Sequence, residues 1–233
     1  MVDIHSHILP GLDDGSRSME QSLEMLRIAY AEGIDTMIAT PHNMPGKGCP
    51  SRETVERKLD RLAEEAAKEG IPVELLMGTE YFFRQEVLEI LEQGQGILLG
   101  NTDCVLVEFN PGEEKRYIVN GIAQIMELDY VPVIAHVERY MSLMEKDFET
   151  IREMRARGAL IQVNCGSVIG DFGSKAKKHT RELLKKGLVD LIGTDAHSDG
   201  HRAPRMRACA KYIEKRCTPR YADRLLQAEA LEL

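Results

Sequence analysis

Five of the seven histidines fall in four short motifs, His5-Ser6-His7, Pro41-His42, Ala135-His136 and Asp195-Ala196-His197, each directly after a short apolar run that reads as a β-strand. Three carboxylates, Asp14, Glu80 and Glu108, stand at or just beyond the ends of further runs. Imidazole and carboxylate gathered at one end of a parallel barrel form the usual donor set for Zn²⁺, Mn²⁺ or Fe²⁺, so the pattern points to a multi-metal hydrolytic site. Residues i and i+2 of a strand point to the same side, so His5 with His7, and Asp195 with His197, can each grip one ion or two neighbouring ions.

Taken one at a time, these residues have plainer readings. A single His after a strand, such as His42 or His136, is more often a hydrogen-bonded structural residue. Asp14 lies in Gly11-Leu12-Asp13-Asp14-Gly15, where an Asp-Asp-Gly run is by default a turn. Glu80 could cap the helix that follows, since acidic groups favour helix N-termini. Their joint occurrence, one at each strand end, is what the separate readings do not predict. Arg139, Arg202 and Arg205 are suited to bidentate capture of phosphate, against an equal case for ordinary surface charge. His179, in a Lys-rich amphipathic helix, reads as solvated surface, and His201 as a loop residue near the mouth.

The elements that must position these groups alternate from one end of the chain to the other. Apolar runs at residues 2–5, 36–39, 73–77, 104–108, 131–135, 160–163 and 188–193 are separated by amphipathic stretches, the pattern of βαβ units building a parallel sheet. Val55, Leu59, Leu62 and Ala66 make one apolar stripe, while Glu56, Arg57, Asp60 and Lys68 face water. Gly33, Gly70, Gly158 and Gly187 fall between helix and strand, where a left-handed residue is needed. Seven units are expected, as an α/β fold of the TIM-like (β/α)7 kind. The strand ends then supply in turn His5 and His7, His42, Glu80, Glu108, His136, Asn164, and Asp195 with His197.

Composition narrows the class. At 233 residues, 43% hydrophobic and with no Trp, the chain is expected to form a single domain over residues 1–233 packed by aliphatic side chains. A net charge of −8 argues against nucleic acid as a partner. The five cysteines are odd in number, widely spaced and without a Cys-x-x-Cys pair, which suits a reducing cytoplasm rather than a disulfide framework. None is followed at the sixth position by Arg, so a cysteine-nucleophile phosphatase is not expected. No signal peptide and no integral membrane segment is expected, since no apolar stretch approaches the ~20 residues that would span a bilayer.

The motifs together resemble those of the PHP (polymerase and histidinol phosphatase) superfamily, and more narrowly its CpsB/CapC-type bacterial protein-tyrosine phosphatases. The resemblance runs through residues 2–15, Ala39-Thr40-Pro41-His42, Gly78-Thr79-Glu80, Val107-Glu108-Phe109, residues 132–140, Gln162-Val163-Asn164 and Gly193-Thr194-Asp195-Ala196-His197. It implies a distorted (β/α)7 barrel, the PHP fold, carrying three divalent ions, Mn²⁺ first, with Fe, Zn or Co as alternatives. By the same likeness one ion takes His5, His7, Glu80 and Asp195; a second shares Glu80 and adds Glu108 and His136; a third takes Asp14, His42 and His197. Arg139 and Arg202 match arginines that hold phosphate. The implied activity is metal-dependent hydrolysis of phosphotyrosine, on the tyrosine-rich tail of a bacterial tyrosine kinase controlling capsule or exopolysaccharide synthesis. The alternatives are a phosphatase for a small phosphomonoester such as histidinol phosphate, and a non-catalytic metal-binding regulator. Residues 220–233 lack the Asn-Pro ending of the group, which leaves a homo-oligomer open, and the loop 43–50 is expected to vary with substrate.

Overall fold

The computed structural model describes residues 1–233, the side chain of Lys146 excepted. Its strands are β1 (Val2–Ser6), β2 (Thr36–Ala39), β3 (His42–Asn43), β4 (Glu74–Met77), β5 (Glu80–Phe82), β6 (Cys104–Glu108), β7 (Val131–Ile134), β8 (Leu160–Asn164) and β9 (Leu191–Gly193). The helices between and after them are α1 (Met19–Glu32), α2 (Arg52–Lys68), α3 (Gln85–Glu92), α4 (Lys115–Glu127), α5 (Glu149–Ala156), α6 (Cys165–Ile169), α7 (Ser174–Lys185), α8 (Arg207–Arg216) and α9 (Pro219–Leu226). All strand pairings are parallel, in the orders β1-β2-β4 and β3-β5-β6-β7-β8-β9.

The sheet curls back on itself. β1 meets the chain just past β9 through Asp195 N–H to His5 O and His7 N–H to Ala196 O, both 2.8 Å. On the other side β4 runs on into β5 across Gly78 and Thr79. Each of the seven expected runs contains a strand, and the second and third are each followed, after a break, by a further short strand, so β3 and β5 are additions to the expected set. The breaks have local causes. Pro41 has no N–H to give to a ladder. At Gly78 a Cβ would stand 2.9 Å from Ile38 Cγ2 and 3.1 Å from Leu99 and Thr40 side chains, so a residue without a Cβ fits that closely packed point between the two strands. After the breaks, His42 pairs in register with Glu80.

Alternation of side chains divides the core in two. Ile4, Ile38, Leu106, Val133 and Leu191 form an inner cluster, which Ala228 and Leu231 from the C-terminal segment join. Met37, Val105, Val107, Ile134, Ile161 and Ile192 face the other way and pack on the helices, among them the α2 stripe of Val55, Leu62 and Ala66. Gly33, Gly70, Gly158 and Gly187 all take positive φ at helix ends, as expected of them. The register of β1 on β2 shifts between Asp3 and Ser6, and His5 lies within that irregularity. A bulge of this kind re-aims a side chain beside a site.

Candidate metal centre

The strand ends converge. His5, His7, His42, Glu80, Glu108, His136, Asp195 and His197 are all buried, while the side chain of Asp14 is 46% exposed at the rim. His5 Nε2 stands 3.3 Å from His7 Nε2, 3.3 Å from Glu80 Oε1 and 3.7 Å from Asp195 Oδ1. His136 Nε2 lies 2.9 Å from Glu80 Oε1 and 3.6 Å from Glu108 Oε2. Asp14 Oδ1 is 3.3 Å from His42 Nε2 and 3.5 Å from His197 Nε2. The three expected ligand groups are therefore each brought together. The geometry adds one refinement: His42 faces two ways, with Nδ1 at 3.0 Å from Glu80 Oε2 and 3.1 Å from Glu108 Oε1, and Nε2 toward Asp14. Tight donor groups form around His5–His7–Glu80, His42–Glu80–Glu108, and His7–Asp14–His42–His197.

These donors fit cations. Ligands bound at about 2.1 Å with angles between 90° and 110° stand roughly 3.0–3.4 Å apart, and most separations above fall in or near that range. Hydrogen bonds account for some of the contacts, such as His136 Nε2 with Glu80 Oε1, but not for those around His42: both its nitrogens, Glu80 Oε2 and Glu108 Oε1 are buried without a hydrogen-bond partner among the described residues. Buried polar groups are normally satisfied, and orphans that face one another mark a place for an ion.

The buried donors shift one another's pKa. Burial alone would lower His7, but Asp13 and Glu80 overcome it and hold the imidazole up at about 10. Burial likewise opposes His42, and Glu108 and Glu80 raise it to about 9. His197 goes the other way, pushed down to about 3 by burial and by the neighbouring His7. Burial favours the neutral form of Glu80, yet His5, His136 and His42 keep it well below the usual carboxylate range.

A second layer orients the donors. Asp13 Oδ2 is 2.7 Å from His7 Nδ1 and accepts from His42 N–H at 2.9 Å, while its Oδ1 accepts from Gly15 N–H. Gln162 Oε1 accepts from His136 N–H at 2.6 Å and lies 3.4 Å from His5 Nδ1. Gln162 also donates to Asn164 Oδ1, and Asn164 donates to Asp195 Oδ2 at 2.8 Å. Asp13 and Gln162 were not expected here. Asp13 reads as a turn residue, although Gln162 and Asn164 stand two apart on β8, the same spacing as His5 and His7. His136 (φ 33°) and Asp195 (φ 54°) are both left-handed, a conformation that costs a non-glycine residue roughly 1–2 kcal/mol and gathers at functional sites.

Both arginines expected at the phosphate reach Asp195. Arg139 Nη2 donates to Oδ2 at 2.6 Å and Arg202 Nη2 lies 2.8 Å from Oδ1, with each side chain 31% exposed toward the mouth. A cavity of about 390 Å³ opens there, lined by Asp14, Arg17, His197, His201 and Arg202 among others. Arg205 is exposed and makes no ion pair among the described residues. Lys47, from the expected variable loop, binds Asp14 Oδ2 at 3.0 Å and so places that loop at the rim. His179 departs from its expected solvated position: it is half-buried on α7, and its Nδ1 has no hydrogen-bond partner among the described residues.

A family model for capsular polysaccharide synthesis, CpsB/CapC, matches residues 1–233. The chain belongs to the CpsB/CapC family. Within that similarity, the tyrosine-protein phosphatase YwqE of Bacillus subtilis is 35% identical over 198 residues, 85% of this chain and 78% of YwqE. A solved structure from work on YwqE and on CpsB of Streptococcus pneumoniae, described as unique metal-dependent tyrosine phosphatases, superimposes with a TM-score of 0.91 at 33% identity, covering 99% of this chain and 94% of that one. The zinc-containing histidinol phosphate phosphatase of Lactococcus lactis shares the fold alone, with a TM-score of 0.58 at 13% identity over 91% and 93% of the two chains. CpsB/CapC membership and this fold match agree with the mixed α/β architecture and its curled parallel sheet.

Proposed function

We propose that this CpsB/CapC chain is a metal-dependent tyrosine phosphatase acting on a phosphotyrosine protein. The observation that carries the proposal is the buried donor ring in which both His42 nitrogens, Glu80 Oε2 and Glu108 Oε1 face one another without hydrogen-bond partners among the described residues, in a family whose relatives bear that name. We read the whole chain as one catalytic domain, a distorted (β/α)7 barrel whose second and third strands are broken, supported by the contact between β1 and the end of β9.

His5, His7, Glu80 and Asp195 would hold one divalent ion; Glu80, Glu108 and His136, with His42 Nδ1 beside them, a second; and Asp14, His42 and His197 a third. Mn²⁺ is the ion of choice, with Fe, Zn or Co suited to the same donors. Bound there, such ions supply Lewis acidity: charge neutralisation at the phosphoryl oxygens and a hydrolytic water that ionises near neutral pH. Arg139 and Arg202 are fixed by Asp195 and partly open to the mouth, so their remaining N–H groups would bind the non-bridging oxygens, where charge must be held in phosphoryl transfer. Phenolate has a conjugate-acid pKa of about 10, so a tyrosine leaving group needs little proton help, and no side chain of this site is assigned as a dedicated acid. Asp13 and Gln162 keep the His7 and His5 rings aimed inward.

The substrate we favour is the tyrosine-rich tail of a bacterial tyrosine kinase of capsule or exopolysaccharide synthesis, met in the cytoplasm; the five free cysteines suit a reducing compartment. A homo-oligomer is compatible with the reading and is not required by it. No described helix is long and apolar enough to cross a membrane. The test is a substrate panel on protein purified without chelator and analysed for metal: phosphotyrosine peptide, phosphoserine peptide and histidinol phosphate. Fastest turnover of phosphotyrosine is expected, with Mn²⁺ restoring activity to stripped protein. Faster turnover of histidinol phosphate would overturn the proposal.

A further inference from the structure

Charge is unevenly spread along the chain. Residues 174–224 carry 14 Lys and Arg against 6 Asp and Glu, while the rest carries 16 against 32. Much of this basic surplus lies on α7 and α8, which border a cavity of about 480 Å³ on the outer wall. Lys178, Arg181, Lys185 and Arg216 line it, with Leu184 and Tyr212 as its apolar part and Glu182 as its lone acid. Arg181 is held rigidly: its Nε donates to Val168 O at 2.9 Å and its guanidinium lies 4.1 Å from the Tyr212 ring centre. None of the four cations forms an ion pair among the described residues, not even with Glu182. Other exposed cations also stand unpaired, Arg205 among them, so what sets these four apart is their gathering around one concavity. In a chain with eight surplus carboxylates, four unpaired cations around one concavity repel one another, and an anionic occupant relieves that repulsion.

The helices that wall the groove start on the side of the site and run away from it, so the groove is lined by their later turns. α7 begins two residues after Phe172, whose ring centre is 5.7 Å from the Arg139 guanidinium carbon, and α8 begins five residues after Arg202. We infer that the α7–α8 groove is a docking site for an acidic segment of the phosphoprotein substrate, Asp- and Glu-rich residues flanking the phosphotyrosine. This inference rests on the phosphatase reading above and deepens it. A concave wall with a stacked Tyr–Arg pair and an apolar floor suits an extended polypeptide better than the plane of a membrane. The groove's charges would act mainly on capture, through KM and its salt dependence, and leave the chemical step alone.

The experiment compares wild type with Lys178→Glu/Lys185→Glu/Arg216→Glu, three exposed positions outside the metal centre, on three phosphoesters: an acidic-flanked phosphotyrosine peptide, a neutral-flanked one and p-nitrophenyl phosphate. Wild type is expected to favour the acidic peptide about 10-fold in kcat/KM at low salt, with the preference fading as NaCl rises. The variant should lose that preference through KM, with kcat and p-nitrophenyl phosphate turnover unchanged. Equal KM values for both peptides in wild type, or a variant that weakens all three substrates alike, would overturn the inference. Fluorescence anisotropy with the unphosphorylated acidic peptide reads the groove without catalysis, and binding by wild type but not by the variant supports it. If neither phosphopeptide is turned over, the phosphatase reading fails while the anisotropy still decides the groove. Phosphatidylglycerol vesicles that sediment wild type but not the variant, with peptide binding equal in both, would assign the surface to lipid and sink the proposal.

Discussion

At the scale of single residues, the buried donors depend on partners that hold them. Asp13 bonds the His7 ring and the His42 backbone at once, so its carboxylate orients one candidate ligand's ring and fixes another's position. Replacing Asp13 with Asn should lower metal affinity about 10–100-fold, the usual cost of losing an outer-shell carboxylate. Titration of chelator-stripped protein with Mn²⁺ checks this, and unaltered affinity would show that Asp13 does not act through His7. The protonation of the site gives a second expectation. His7 at about 10 and His42 at about 9 stand above their ordinary 6.5, so both carry protons at pH 7 that cations must displace. Apparent metal affinity should therefore rise with pH, by up to about tenfold per unit for each proton released. The sign for the stripped fold is opposite. Groups raised above their unfolded value stabilise it fully below pH 6.5, and that contribution is lost as pH climbs through 9 to 10. Thermal melts of stripped protein from pH 7 to 10 should fall as metal affinity rises.

At the scale of elements, the closing contact between β1 and β9 hangs on a buried carboxylate. Asp3 accepts from Thr194 N–H at 2.8 Å, from Thr194 Oγ1–H, and from His5 N–H at 3.3 Å, across 191 positions of sequence in the case of Thr194. Burial pushes its pKa up to about 6 despite those donors. Asp3→Ala would leave the Thr194 donors buried and unpaired and should cost about 2–4 kcal/mol, read from urea denaturation. A loss under 1 kcal/mol would mean water or relaxation replaces the bond. Gly78 separates β4 from β5, and its absent Cβ is what allows Ile38, Thr40 and Leu99 to close in. Gly78→Ala should overpack that point by about 1–3 kcal/mol and move Glu80, two residues on, with a drop in activity larger than the loss of stability explains. Full activity in a folded Ala variant would rule out that coupling.

At the scale of the whole molecule, ions and fold are linked. Protein at 100 times the dissociation constant in metal should be about 2.7 kcal/mol more stable than stripped protein, so chelation should lower the melting temperature as well as abolish hydrolysis, and calorimetry with and without Mn²⁺ checks both. The donor ring itself was legible in the sequence, because strand and helix alternation is a local pattern and a parallel sheet sends every strand's C-terminal end to one side. His5, His7, His42, Glu80, Glu108, His136, Asp195 and His197 could therefore be named from position alone. The breaks after Ala39 and Met77, the left-handed turns at His136 and Asp195, and the two-way stance of His42 could not. Nor could the Gln162–Asn164–Asp195 chain, or the half-burial of His179 beside a helix face that reads as wholly solvated. Apart from the break at Pro41, which a missing N–H explains locally, these involve contacts between residues tens to nearly two hundred positions apart, where packing and hydrogen-bond satisfaction overrule local preference. The sequence by itself determined which side chains meet at the mouth; the tertiary structure alone decided which atom of each faces which, since that depends on long-range contacts and not on periodicity.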